Sequence, residues 1–325
     1  MKSLLFSTRT LAGKEIRDAL RNRMFLIILG MMMVLVLVSV VLGAFQVRVN
    51  VESYNQSVAL LKSIGKTNFP DAPNLNPLSA SKSFTNIIGM LGALLGIVLG
   101  SAAIRRERES GTMRLILTRQ TSRGALVGGK TLGNLALLAM ISVLFCGLSL
   151  AAVPLIGHWN LTADESLRLT LFFLVGFLYM MFFLLLSMLF TISFEKSEKA
   201  LLLTVTIWLV LSFILPQIGD TMDMDNQISG GFFASMGMTR AQEKQLLAQF
   251  GFYEWLRNAF EELSPLKHFE RAGFALLNVK PGFETNTAWE VMGIKWWDIL
   301  CLIAPNAILW FGASMLFKRR EDRCL

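Results

Sequence analysis

Apolar residues fill positions 24–47, 83–104, 131–163, 169–194, 200–219 and 299–317, and none of these six runs contains Asp, Glu, Lys or Arg. About 20 such residues cross a hydrocarbon core as a helix. Barrel strands would instead alternate apolar and polar side chains over about 10 residues. The pattern predicts an all-α integral membrane protein with six spans at about 24–46, 83–104, 132–156, 169–193, 200–218 and 298–317. Both termini then lie on one side.

The polar stretches have patterns of their own. Ala12, Ile16 and Leu20 recur at i, i+4 among Arg9, Arg17, Arg21 and Arg23, which fits a helix over 1–23 lying on the membrane surface, or a plain basic segment that sets orientation. Residues 48–82 begin helically and end in a turn-rich stretch holding Pro70, Pro73 and Pro77. The segment 219–296 is longer. Thr239 to Gln242 has capping-box form, helical spacing runs on to Leu263, Ser264-Pro265 interrupts it, and a second amphipathic stretch covers 266–277. Trp289, Trp296 and Trp297 mark the return to the interface, where indole rings are favoured. A small helical cap on the outer leaflet is expected there.

Composition agrees with this class: 54% of residues are hydrophobic, 17% are charged and the mean hydropathy is +0.53. The net charge of +8 would suit nucleic acid, but its distribution points elsewhere. The segments 1–23, 105–130, 194–199 and 318–325 hold 19 Lys/Arg in 63 residues, against 12 in 125 for 47–82, 158–168 and 219–296. Positive charge therefore marks the first set as cytoplasmic and sets topology, and no nucleic-acid partner is expected. A long first run behind a 23-residue charged segment reads as a retained anchor, not a cleaved signal. Cys146 and Cys301 fall in spans and Cys324 in the tail, so no external disulfide is expected.

The spans carry no ionisable group near their middles, which disfavours ion-coupled secondary transport. Gly92, Gly96 and Gly100 repeat every fourth residue, a helix-packing stripe. His158 and His268 show no metal-ligand spacing, and Met222, Met224, Met236 and Met238 read as apolar filler before they read as a soft-metal site. One run imitates catalysis: Gly124, Gly129, Lys130 and Thr131 fit a phosphate-binding Walker A loop. That loop needs a core strand before it and a soluble helix after it. Here a membrane span follows, and Ser122-Arg123 reads as the end of a surface helix, so the fit is judged false.

The stretch 105–130, RRERESGTMRLILTRQTSRGALVGGK, joins the second and third spans. Glu107 and Glu109 precede a helix start that Ser110 or Thr112 can cap, and Met113, Ile116 and Leu117 form a small apolar face flanked by Arg114 and Arg119. Arg106 to Met113, then Thr121-Ser122-Arg123 and Gly129-Lys130, resemble the signature of ABC-2 type transporter permeases. That resemblance implies a membrane subunit without a catalytic site of its own. It places an ATPase-coupling interface at Glu107, Glu109, Gly111, Thr112, Met113, Arg114, Ile116, Leu117 and Arg119. It also implies a second permease subunit, cytosolic ATPase subunits that bind ATP and Mg, and a place in the plasma or inner membrane of a prokaryote. The alternative reading is a non-transporting assembly or sensor protein that binds an envelope partner through 219–296; ion-coupled transport ranks below it.

Overall fold

The computed structural model describes residues 2–64, 77–109, 123–157, 161–224, 232–238, 240–279 and 282–321. Among the described residues every regular element is helical. A helix α1 (Lys2–Leu20) precedes α2 (Arg23–Ser63), whose start Asn22 caps by accepting from the Met24 amide. After a short 3-10 turn over Pro77–Lys82, the second span runs through α3 (Ser83–Ile87), a π turn (Ile88–Gly92) and α4 (Ala93–Glu109). The third and fourth spans are the unbroken helices α5 (Arg123–Gly157) and α6 (Ala163–Ser193). The fifth repeats the design of the second, with α7 (Ser197–Leu209), a π turn (Val210–Ile214) and α8 (Leu215–Met222). Short helices follow: α9 (Phe232–Ser235), α10 (Arg240–Ala248), α11 (Gly251–Glu262), α12 (Pro265–Leu276) and α13 (Ala288–Ile294). The last span lies in α14 (Trp296–Glu321).

Among the described residues, six helices are long and apolar enough to cross a membrane: Arg23–Gly43, Ser83–Arg106, Val127–Leu155, Ala163–Ser193, Ser197–Met222 and Trp296–Phe317. They alternate direction, so α1, the end of α4, the start of α5 and the 194–196 turn share one end of the bundle, the N-terminal face. The end of α2, the 3-10 turn at Pro77–Lys82 and the helices α9 to α13 share the opposite face. The second and fourth spans are 72% buried, whereas the first, fifth and sixth are 18%, 22% and 17% buried, so the core is built around α4 and α6.

Helix α6 is central because both its sequence and its start favour it. Thr162 and Glu165 close a capping box, Asp164 and Glu165 sit at the positive end of the helix dipole, and Phe172, Tyr179, Phe183, Leu184 and Met188 are fully buried along one side. Its partner face on the second span is the glycine stripe. A Cβ on Gly92 would meet Met180 Sδ at 2.9 Å, one on Gly96 the Met180 carbonyl oxygen at 2.6 Å, and one on Gly100 the Leu184 carbonyl oxygen at 2.2 Å. The two backbones are thus in contact, and Ser187 Oγ donates across the seam to the Ile97 carbonyl at 2.8 Å.

Three expectations are corrected. Arg123 does not end a surface helix but opens α5, which runs unbroken into the third span. The pattern to Leu263 is two helices, because Gln249 and Phe250 turn back onto the carbonyls of Leu246 and Leu247 and α11 restarts at Gly251. On α1 the stripe turns inward at Ala12 and Ile16, which pack on α5 and the core beside the buried Glu15 and Ala19, but it breaks at Leu20, which is 52% exposed. Thr239 lies outside the described residues.

Replacing Gly100 with Val should force the second and fourth spans apart and cost about 1–3 kcal/mol, the usual range for overpacking. Gly147→Ala, where an added Cβ meets nothing within 4 Å, should be neutral or gain about 1 kcal/mol in helix propensity. Thermal unfolding of the two variants in detergent, followed by the loss of monodisperse protein, measures the contrast.

Candidate functional site

The sequence places its candidate chemistry on the connection between the second and third spans. Of the named residues, Glu107 and Glu109 lie on the last turn of α4. Gly111, Thr112, Met113, Arg114, Ile116, Leu117 and Arg119 lie outside the described residues. What the structure defines is how both ends of that connection are fastened.

The α4 end is fastened by Arg108. Its guanidinium donates from Nη1 to the carbonyls of Thr191 (2.6 Å) and Phe194 (2.7 Å) and from Nη2 to that of Ile192 (3.1 Å). These belong to the last turn of α6 and the residue that ends it, where helix carbonyls lack partners within the helix and the dipole is negative. A planar cation with several fixed donors suits such a cluster. Arg108 therefore ties the last turn of the second span to the end of the fourth, two residues before the 110–122 connection begins.

The α5 end is fastened by Lys130. Its side chain is 1% exposed, and Nζ donates to Glu15 Oε1 at 2.7 Å and to the Ala103 carbonyl at 2.5 Å. One ammonium thus joins α1, α4 and α5. Close packing supports the join: a Cβ on Gly133 would meet Ala12 Cα at 2.9 Å and Glu15 Cβ at 2.8 Å, so only glycine lets α1 lie this near α5. The run from Gly124 to Thr131 is helical throughout, and Thr131 Oγ1 donates back to the Val127 carbonyl at 2.9 Å. A phosphate loop needs a free lysine and backbone amides pointing outward. Here the lysine is committed to a carboxylate.

At the opposite face a cavity of about 960 Å³ opens among α8, α11 and α12. Its charges are matched: Lys267 pairs with Asp220 (2.5 Å), Arg257 with Glu254 (3.1 Å) and Asp223 (3.6 Å), and Arg271 with Glu261 (2.6 Å) and Glu262 (2.5 Å). Beside it, His268 Nδ1 lies 2.9 Å from Asp298 Oδ1 and Nε2 lies 3.0 Å from the Glu262 carbonyl oxygen, which joins α12 to α14. Glu262, His268 and Cys301 bring one ligand atom each within 4.8 Å of one another. Both Glu262 oxygens are already engaged, one by Arg271 and the other by Trp297 Nε1 at 3.1 Å, so the group forms an ion-pair network. Burial opposes ionisation of Glu262, but these hydrogen bonds outweigh it and hold the carboxyl below its ordinary value.

The sequence reading missed Arg108, Glu15 and His268 as joints. Arg108 lies inside a basic cluster that reads as an orientation signal. Glu15 meets Lys130 across 115 residues, and His268 meets Asp298 across 30. The one usable sign was negative: a lysine at the mouth of a span, without the rest of a nucleotide loop, needs a carboxylate somewhere.

Among the described residues, six membrane-length helices around a glycine-seamed core define a multi-pass helical membrane protein. Residues 9–321 match the family described as ABC-2 family transporter protein. The chain belongs to that family. Over 175 residues it is 30% identical to the probable ABC transporter permease protein NosY of Pseudomonas aeruginosa, an alignment covering 51% of this chain and 56% of that protein. The chain thus spans little more than half the length of that relative.

Lys130→Met alone should destabilise the protein by about 3–5 kcal/mol, since it leaves the Glu15 carboxylate buried without its partner. The double variant Glu15→Leu with Lys130→Met should recover most of that loss. Comparing denaturant or thermal midpoints of the single and double variants checks both the size and the recovery.

Proposed function

We propose that this chain is the permease subunit that couples ATP hydrolysis in separate cytosolic ATPase subunits to substrate export, or to conformational work, across a prokaryotic inner membrane. The N-terminal face is cytoplasmic in this reading. Residues 107–119 are the surface on which the ATPase docks, with Met113, Ile116 and Leu117 entering a groove on the partner and Arg114 and Arg119 pairing with its carboxylates. ATP and Mg belong to the partner, and a second permease subunit completes the pathway. The likeness to NosY, a probable ABC transporter permease, supports the same role.

The observation that carries the reading is the fastening of the connection at both ends. Arg108 holds one end to α6 and Lys130 holds the other to α1 and α4, so force delivered at the two ends of the connection reaches three helices. A connection that served topology alone would have no use for such joints. The opposite face fits an outer-leaflet cap: α11 turns Arg257 and Glu261 towards the cavity and leaves Phe252 (76% exposed) and Trp255 (63%) outward, an orientation suited to the lipid interface.

Purification of the tagged chain from native membranes should recover a soluble ATPase in stoichiometric amount. Changing Met113, Ile116 and Leu117 together to Asp should reduce that recovery at least tenfold while the chain stays in the membrane at normal level. An unchanged ATPase yield from the triple variant, or no ATPase with the unaltered chain, would overturn the proposal.

A further inference from the structure

The second and fifth spans each break regular α geometry once, by a π turn, and one side chain touches both breaks. Tyr179 of α6 is 0% exposed, and its hydroxyl donates to the Gly89 carbonyl at 2.8 Å. Gly89 lies in the π turn of the second span. The same oxygen lies 3.0 Å from Ser212 Oγ, in the π turn of the fifth span. A phenol has one hydrogen, so with that hydrogen on Gly89 the serine donates to the tyrosine. Both partners of the hydroxyl are thereby fixed.

The opposite-face segment meets the same point. Ser264, the fully buried N-cap of α12, donates from Oγ to the Leu211 carbonyl at 2.6 Å, one residue from Ser212 in the π turn of the fifth span. Leu266 in the first turn of α12 lies so close to the π turn of the second span that a Cβ on Gly89 would meet its Cδ1 at 2.7 Å. Phe269, one turn further on, stacks on the Tyr179 ring at 5.4 Å between centroids with planes 18° apart. Two π turns and the start of α12 therefore share one buried hydroxyl and one ring.

A π turn is an interruption already present in the helical ladder, and such interruptions concentrate where helices bend or work. The second span ends at Arg108 and the 110–122 connection; the fifth runs on into α8, whose Gln217 and Asp220 line the 960 Å³ cavity, and α12 supplies Lys267 and Arg271 to the same wall. We propose that Tyr179 is a positioning residue that locks these two π turns together, so that movement entering the second span from the cytoplasmic connection is passed to the fifth span and α12 and reshapes the cavity. The role rests on the coupling function proposed above.

The test uses the whole complex purified through a tag on this chain, reconstituted in lipid. Spin labels go on Gln56→Cys at the far end of α2 and Gln249→Cys in the turn before α11, both exposed, with Cys146, Cys301 and Cys324 changed to Ser. Adding ATP with vanadate should shift the distance distribution in the otherwise unaltered complex. Tyr179→Phe, which keeps the ring and removes only the hydroxyl, should retain ATPase recovery and an ATP hydrolysis rate within twofold, yet lose at least half of the shift. Ser212→Ala should behave alike, and it carries the test if Tyr179→Phe does not assemble. A merely structural role would lower recovery and hydrolysis together without separating them from the movement. A shift of normal size in both variants would overturn the positioning role and leave the permease reading standing. No nucleotide-dependent shift in the unaltered complex, or no ATPase in it, would overturn both.

Discussion

At Gly100 there is no room for a single methyl group between the second span and the Leu184 carbonyl of the fourth, and at Gly96 little more is left beside the Met180 carbonyl. Two helix backbones in contact over several turns gain dispersion energy that lipid cannot match, because lipid tails compete with side chains but cannot enter such a seam. The other joints depend on this contact. Arg108 reaches the end of α6 because α4 runs beside it without an intervening layer of side chains. Tyr179 reaches Gly89 for the same reason, and Ser187 reaches Ile97. Each hydrogen bond of this kind is worth only about 0.6 kcal/mol on average inside a membrane, so the bonds orient the seam and do not create it.

The fourth span is tied at both ends by cations that use backbone carbonyls as anchors. At the N-terminal face Arg108 takes the final carbonyls of α6. At the opposite face Arg168, 4% exposed, binds Asp164 at 2.8 Å and the carbonyls of Phe283 and Asn286, and so fastens the strap before α13 to the start of the same helix. Asp164 also accepts from the Ala288 amide at 2.8 Å, the first residue of α13. A helix held this way at each end, and seamed to a neighbour along its length, serves as the fixed member of the bundle. The first, fifth and sixth spans, mostly exposed, are the ones with surface to spare for lipid or further protein.

The six spans were legible in the sequence because hydrocarbon thickness sets a length that charge-free runs either meet or miss. The glycine stripe was legible for a similar reason, since small residues four apart fall on one face of any helix. Other features were not. The π turns at Ile88–Gly92 and Val210–Ile214 sit in runs of Ile, Leu, Gly, Phe and Ser that read the same in either geometry. Arg108 was counted as topological charge, and its partners are backbone carbonyls, which no side-chain pattern reveals. The imitation of a nucleotide loop had the opposite fault: Gly124 to Thr131 carried a familiar spacing, and the membrane span that follows it argued against the reading. Lys130 then proved to be a structural cation whose carboxylate lies far off in the chain, on α1.

Polar bonds in this bundle are graded by depth, and the grading limits how it can move. Near the faces the joints are charged: Arg108 and Lys130 at the N-terminal face, Arg168, Lys267 and Arg271 at the opposite one. Those that water can reach exchange for hydration at modest cost, since exposed pairs are worth about 0–1 kcal/mol. Around Tyr179 the bonds are neutral and buried, so leaving one unmade costs about 1–3 kcal/mol. Motion that conserved the inner bonds and traded the outer ones would be the cheaper course. The second and fifth spans would then pivot about the shared hydroxyl at their π turns, with their far ends swinging where water stands ready to take over. The ladder is already interrupted at those two points, so the bend adds no new unpaired carbonyl to the membrane interior.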